Sequence, residues 1–410
     1  MYRVSPFISA FAWALLAGIA IATFWVNLAP ASYYDLLEWR LVDVSQPGWL
    51  ADSAVIVTPL RIVGDGLMAL YLFFVGKELW ESLVLKRGAL SGRRALVPLG
   101  LSVGAMLGAI AVWIIATAVL KAPQDLDHAT GWIVPLGSDV VICYLMGRWV
   151  FGPKHMALHV LLLLTVSADI IGLLVLGVAG PTTTLRWIWL SLPLAASLAV
   201  WAAVGRRPGS TASERRKRQT LQLWPYVLAG AISWVGVAAS GMPAALGLLT
   251  VIPAIAHADR AFGVFAEAEE LLHDPLNRLA HGLVVPVGVI LFLFGFTFGG
   301  IDFAAYAPVT LVVLAAMWIG KPIGLVASWI LFERLTGLHL PHGFVRRDLY
   351  LIALIMGIGF TVPVLTLERA LPGGAAQEAA RLGCALSLLA APMALILSRR
   401  RFKRASGTLV

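Results

Sequence analysis

Twelve times along 410 residues the chain runs for about 20 residues with few or no charges, and this recurrence constrains its fold more than any single motif. The runs begin near Phe7, Leu60, Ala95, Trp132, Met156, Arg186, Leu223, Gly241, Leu279, Ala305, Asp348 and Gln377. About 20 apolar residues in helical conformation cross the hydrocarbon of a bilayer. In that medium every backbone N–H and C=O needs an internal partner, and the runs show no period-2 alternation, so the spanning elements are helices. The expected class is an all-α polytopic membrane protein with about 12 transmembrane helices. Composition agrees, with 60% hydrophobic and 13% charged residues and a mean hydropathy of +0.86, against roughly 25% charged residues in soluble domains. The first run, Phe7 to Leu28, exceeds a signal-peptide core and lacks a small-x-small cleavage site, so it reads as a retained span. Cys143 and Cys384 both lie inside apolar runs, which gives neither a disulfide framework nor metal-ligand spacing.

A net charge of +9 would point to nucleic acid in a soluble chain, but the distribution of the basic residues gives another reason for it. With an even number of spans and both termini cytoplasmic, 23 of the 31 basic residues fall on the inner side and six on the outer. That asymmetry is the positive-inside signature, and no nucleic-acid partner is expected. The densest basic stretch, 205–222, reads as a cytoplasmic linker between two six-helix halves of a single membrane domain spanning 1–410. The loop from His257 to Leu279 carries Glu267, Glu269, Glu270, His273 and Asp274 in an amphipathic pattern. It is read either as a solvated interfacial helix or as a regulatory one. The outer loop from Ala31 to Val57 holds Val42 and Val44 ahead of Gln46-Pro47-Gly48, a pattern that fits a hairpin.

Ionisable side chains inside spans cost about 2.5–3.5 kcal/mol each on insertion scales, so each is a candidate for function. They are Asp65 and Glu78 in the second span, Asp139 in the fourth, Asp169 in the fifth and Lys321 in the tenth. Lys77 and Glu81 sit near a span end and are expected to snorkel. Asp139 closes the stretch Gly131-Trp-Ile-Val-Pro135-Leu-Gly137-Ser138-Asp139, in which Pro135 removes a donor and Gly137 weakens the helix. A helix broken there frees carbonyls beside a carboxylate, a set of hard oxygens suited to Na⁺, Li⁺ or a proton. The plainer alternative is a Pro-kinked packing helix. A second break falls at Gly357-Ile-Gly359-Phe-Thr361-Val-Pro363 in the eleventh span. Interrupted spans at corresponding places predict an inverted repeat, spans 3–5 with 10–12, around a midplane site. Asp169 has no basic neighbour in sequence and Lys321 is the deeply placed cation, so a Lys321 to aspartate contact is the economical pairing.

These residues carry a likeness to a known family. Through Gly64 to Ala69, Phe74 to Glu78, Gly131 to Asp139, Ala168-Asp169, Ile319 to Pro322 and Gly357 to Thr361, the chain resembles the NhaA family of sodium/proton antiporters. The resemblance covers nearly the whole chain. It implies that the fourth and eleventh spans unwind and cross, that Asp169 binds the cation, that Asp139 compensates the crossing, and that Lys321 pairs with a carboxylate. It also implies antiport across a bacterial inner membrane, a homodimer formed through the Ala31 to Val57 loop, and pH sensing at Glu78, Glu269 and His273. The chain departs from the family pattern where Ala168 replaces the first of two adjacent aspartates, Pro243 a histidine, Gly64 an asparagine and Ser138 a threonine.

The function expected on this reading is exchange of Na⁺ or Li⁺ for H⁺ with no cofactor, Asp169, Asp139 and Ser138 forming the cation and proton site. Asp65, Glu78, Glu269 and His273 are the candidates for regulation. Ala168 keeps two alternatives open, transport of another solute on the same scaffold and a transport-silent membrane sensor. No His-Glu-x-x-His, Gly-x-Ser-x-Gly or paired-aspartate protease pattern occurs in any span, so an enzyme is not expected. Tryptophans near span ends, among them Trp80, Trp149 and Trp224, are read as interfacial anchors.

Overall fold

The computed structural model of the chain describes residues 4–44, 55–84, 96–120, 131–180, 185–204, 219–257, 265, 267, 272–336, 345–371 and 373–406. Its helices in chain order are α1 (Phe7–Leu28), α2 (Pro30–Leu37), α3 (Met68–Val84), α4 (Leu96–Leu120), α5 (Val140–Phe151), α6 (Met156–Ala179), α7 (Ser191–Ala203) and α8 (Trp224–Ala239). They continue with α9 (Pro275–Phe298), α10 (Pro308–Ala315), α11 (Lys321–Thr336), α12 (Arg346–Ile355), α13 (Thr361–Ala370), α14 (Ala375–Ser387) and α15 (Ala390–Ser406). Among the described residues, eight helical stretches are long and apolar enough to cross a membrane. Three shorter apolar helices, Trp187–Ala203, Trp224–Ala239 and Ala244–Ala254, and the broken pair α12 and α13 occupy the places of the other expected spans. The protein is an all-α multi-pass membrane protein. Outward-facing side chains such as Phe24, Ile114, Val119 and Ile188 are exposed and apolar, as a surface solvated by hydrocarbon requires.

Several starts differ from the expected ones by a few residues, and proline accounts for two of them. Pro275 and Pro308 stand at the first turn of α9 and α10, where a missing N–H costs nothing. The hairpin expected in the first outer loop is present as β1 (Val42–Val44) and β2 (Val55–Val57), antiparallel with Val42 opposite Val57. Its turn, most of the 205–222 linker and Glu269 lie outside the described residues.

The chain forms two compact units. One comprises Met1–Ser9, Gly92–Gly172 and Phe303–Val410, and so gathers the two sets of spans read as the repeat. The other comprises Ala10–Ser91 and Leu173–Asp302. In the second unit α1 and α9 touch backbone to backbone at Gly18 and Gly295, where a Cβ on either would strike a carbonyl of the other helix.

The first unit is organised by a longer seam of the same kind. Gly104 and Gly108 of α4 recur at intervals of four and therefore share a helix face, as do Gly320, Gly324 and Ser328 on and before α11. A Cβ at Gly108 would collide with the carbonyl of Gly320, and one at Gly324 with the carbonyl of Gly104. Small residues in register let backbones approach where hydrocarbon offers no hydrophobic drive. Lys321 is carried within this seam, one residue past Gly320. The turn before it, Ala316–Gly320, is π-helical, a local widening that often marks a functional position.

Gly324→Ala is therefore expected to overpack the seam and destabilise the protein by about 1–3 kcal/mol. Thermal unfolding of the purified protein in detergent measures this. Gly282→Ala, where a Cβ meets nothing within 4 Å, should leave the midpoint unchanged.

Candidate ion site at the crossing of two broken helices

Each break follows from its residues. A 3₁₀ turn over Gly131–Leu136 contains Pro135, which denies a donor to the preceding turn, and the chain then runs extended through Gly137 and Ser138 to Asp139. The second break separates α12 from α13 at Met356–Phe360. The two breaks meet. A Cβ added to Gly137 would come within 2.6 Å of Val362 Cγ1, and one on Gly359 within 3.2 Å of the Gly137 carbonyl oxygen, so only glycines let the segments approach this closely.

Unwinding frees backbone groups in a dry interior, where each must find a partner. The Asp139 N–H donates to Ile358 O at 3.2 Å, Ser138 Oγ to Met356 O at 3.2 Å, and Cys143 Sγ to Ile355 O at 3.3 Å. Asp139 itself caps both half-helices. Its Oδ1 accepts from Ile142 N at 2.8 Å in the first turn of α5, and its Oδ2 from Thr361 N at 3.1 Å, the first residue of α13. Helix N-termini carry about half a positive charge each, so one carboxylate offsets two of them. Asp139 thereby caps one helix N-terminus with each oxygen.

Asp169, on α6, is 1% exposed. Its Oδ1 accepts from Ser138 N at 2.6 Å, while Oδ2 makes no hydrogen bond. Lys321 Nζ donates to the Gly137 carbonyl and, at 3.4 Å, to Ser138 Oγ. The expected Lys321 to aspartate pair is not formed, since among the described residues no carboxylate lies within ion-pair distance of Lys321. Position 168 supplies a methyl group instead of a carboxylate, and a carbonyl stripped of its helical partner by the break receives the ammonium. The structure thus brings together Ser138, Asp139, Asp169, Lys321, Gly137, Gly359 and Thr361 and adds Cys143 and Ser387, neither of which the sequence marks out. A serine near the end of a long apolar run carries no signal until its neighbours are known.

The residues read as regulatory belong to the second unit. The expected snorkelling of Lys77 and Glu81 does not occur. Lys77 is buried, 3.0 Å from Glu78 Oε1 and 2.9 Å from Glu81 Oε2, and Glu78 Oε2 also accepts from Phe265 N at 2.5 Å. Two carboxylates on its own helix offer the ammonium neutralisation that a route to water would otherwise provide. Asp274, expected on a solvated loop helix, is buried and accepts from Asn277 Nδ2 at 3.0 Å. Asp65 is half-buried in the π-helical turn Ile62–Leu67, its carbonyl accepting from Trp234 Nε1 at 2.8 Å, and His273 is exposed.

Two interrupted spans that cross around a buried carboxylate and a buried lysine define a secondary transporter architecture. The sequence profile of the family described as Na⁺/H⁺ antiporter 1 matches residues 8–397, and the chain belongs to that family. Among curated relatives it is similar to the Na⁺/H⁺ antiporter NhaA of Jannaschia sp. (strain CCS1), 38% identical over 97% of this chain and 98% of that one. It is also similar to the Na⁺/H⁺ antiporter NhaA 2 of Pelobacter propionicus, 31% identical over 94% of each chain. The NhaA antiporter of Geotalea uraniireducens is 30% identical over 93% of this chain and 92% of its own.

If Asp139 caps two helices, Asp139→Ala removes two caps worth about 0.5–2 kcal/mol each. Thermal unfolding should show the larger loss for Asp139→Ala and about half of it for Asp139→Asn, whose amide oxygen replaces one acceptor only.

Proposed function

We propose that this protein exchanges Na⁺ or Li⁺ for H⁺ across a bacterial inner membrane, with Asp169 as the site for which the two ions compete. The observation that carries this reading is the Asp169 carboxylate, buried at the crossing with one oxygen bonded and the other unengaged. A carboxylate oxygen is a good ligand for a small hard cation and equally a site for a proton, but it cannot hold both. With access alternating between the two faces, proton release on one side and cation release on the other become coupled. Backbone carbonyls and Ser138 complete an oxygen-rich lining. Lys321 balances the carboxylate charge across the break and, bonded to the Gly137 carbonyl, ties its own span to the first broken segment.

Ala168 leaves Asp169, among the described residues, as the one carboxylate at the crossing with a free oxygen. The reading is therefore one proton for one monovalent cation, an exchange that moves no net charge. The distribution of basic residues supports cytoplasmic termini, with 205–222 as an inner linker within one membrane domain. The hairpin of the first outer loop is the surface offered to a second copy, and the exposed apolar girdle faces lipid. Regulation by pH is assigned to Asp65, Glu78, Glu269 and His273, with Glu78 contributing through its buried contact to Lys77.

In proteoliposomes with the membrane potential clamped, addition of Na⁺ or Li⁺ should collapse an imposed proton gradient, at a rate indifferent to the clamped potential. Asp169→Asn should abolish that flux. Substantial flux in Asp169→Asn would remove Asp169 from the mechanism, and absence of flux from folded wild-type protein would favour another solute.

A further inference from the structure

Gly359 lies at the centre of the second break with both of its backbone groups in need of partners. In a helix its carbonyl would accept from residue 363, but Pro363 has no N–H. The residue that answers both groups is Ser387, fully buried at the C-terminal end of α14. Ser387 Oγ accepts from Gly359 N at 3.0 Å and stands 3.2 Å from Gly359 O, to which it can donate. A hydroxyl has a single proton to give, and a second acceptor, the carbonyl of Cys384 in the preceding helical turn, lies closer at 2.6 Å. The carbonyl of Ser387 in turn accepts from Trp318 Nε1 at 3.3 Å, within the π-helical turn that leads into Lys321. It is free to do so because α14 ends here, before Leu388 and Leu389, and the last carbonyls of a helix have no partner within it.

We propose that Ser387 is a positioning residue of the ion site, a clamp that holds the Gly359 N–H throughout the cycle and releases the Gly359 carbonyl when a cation arrives. With the site empty, the hydroxyl can donate to Gly359 O. When that carbonyl turns towards a cation, the hydroxyl proton swings to Cys384 O, so the hydroxyl keeps an acceptor in either state. A backbone segment that coordinates an ion must be fixed enough to keep its geometry and free enough to give up one bond. One hydroxyl with two acceptors meets both demands. Through Trp318, the same residue ties the break to the span that carries Lys321, so the two halves of the site move as a unit.

The inference rests on the ion-exchange reading above, and the test separates the two. The Na⁺ and Li⁺ dependence of proton flux in proteoliposomes is measured for wild type, Ser387→Ala, Ser387→Cys and Ser387→Thr, alongside stabilisation of each detergent-purified protein against thermal unfolding by the same cations. Ser387→Ala is expected to raise KM for both cations about tenfold while kcat stays within about threefold, because the proton-carrying carboxylate is untouched. Ser387→Thr, which keeps the hydroxyl, should stay nearer wild type than Ser387→Ala, and Ser387→Cys, a weak donor and acceptor, should fall between. A KM for Ser387→Ala within twofold of wild type, or a fall in kcat at unchanged KM, overturns the clamp. Should Ser387→Ala fail to fold, an unchanged KM in Ser387→Cys overturns it equally. Wild-type protein that is stabilised by Li⁺, with Ser387→Ala needing about tenfold more, but that moves no protons would retain the clamp and reject antiport.

Discussion

The crossing depends on one carboxylate serving two helix ends. Breaking a membrane helix exposes N–H groups that hydrocarbon cannot satisfy, and crossing two broken helices doubles the number. Asp139 meets the sharpest part of that demand by accepting from the first turn of α5 with one oxygen and from the first residue of α13 with the other. Its two contacts are 222 and 3 residues away in sequence, so the same side chain makes a local cap and a long-range tie. Three further bonds of the crossing, from Ser138 Oγ, Cys143 Sγ and the Asp139 N–H, end on carbonyls between Ile355 and Ile358.

Lys321 is placed by the opposite device. Its span is brought to the crossing chiefly by close backbone packing. The backbone of its span is pressed against α4 through Gly104, Gly108, Gly320 and Gly324, and this packing directs the lysine towards the first break. The ammonium then finds the Gly137 carbonyl, just past the C-terminal end of the Gly131–Leu136 turn, where partial negative charge accumulates. Cation at a C-terminal end and anion at two N-terminal ends are the arrangement that helix dipoles favour. The substitution of a carbonyl for a carboxylate as the partner of Lys321 is possible because the break had already left that carbonyl without a donor.

Much of this was legible in residue order. Helix class, the breaks at Pro135 and Gly359, the hairpin at Val42 and the membership of Asp139, Asp169 and Lys321 in one site follow from hydropathy and from the cost of charge in lipid. Partner choice was not legible. Lys321 was expected to meet an aspartate because opposite charges attract, but a backbone carbonyl freed by a helix break is invisible to charge counting. Lys77 and Glu81 looked like snorkelling residues because their position along the span was known and their depth in the unit was not. Ser387 looked like any serine in an apolar run, since its role depends on Gly359, 28 residues earlier, and on the missing N–H of Pro363.

The same bookkeeping of charge explains why exchange is the natural chemistry of the crossing on the proposed reading. Asp139 is matched by two helix N-termini of about half a charge each, and Lys321 is held at a helix C-terminal end. Asp169 is what remains, a carboxylate with one backbone N–H on one oxygen and nothing on the other. An ionised carboxylate in so dry a place is costly unless compensated, so the empty site is the least favourable of its states and is the one crossed most rarely. A proton and a monovalent cation relieve that cost with the same unit of charge. Occupancy then depends on their relative concentrations at whichever face is open, and neither ion can leave for long without the other taking its place.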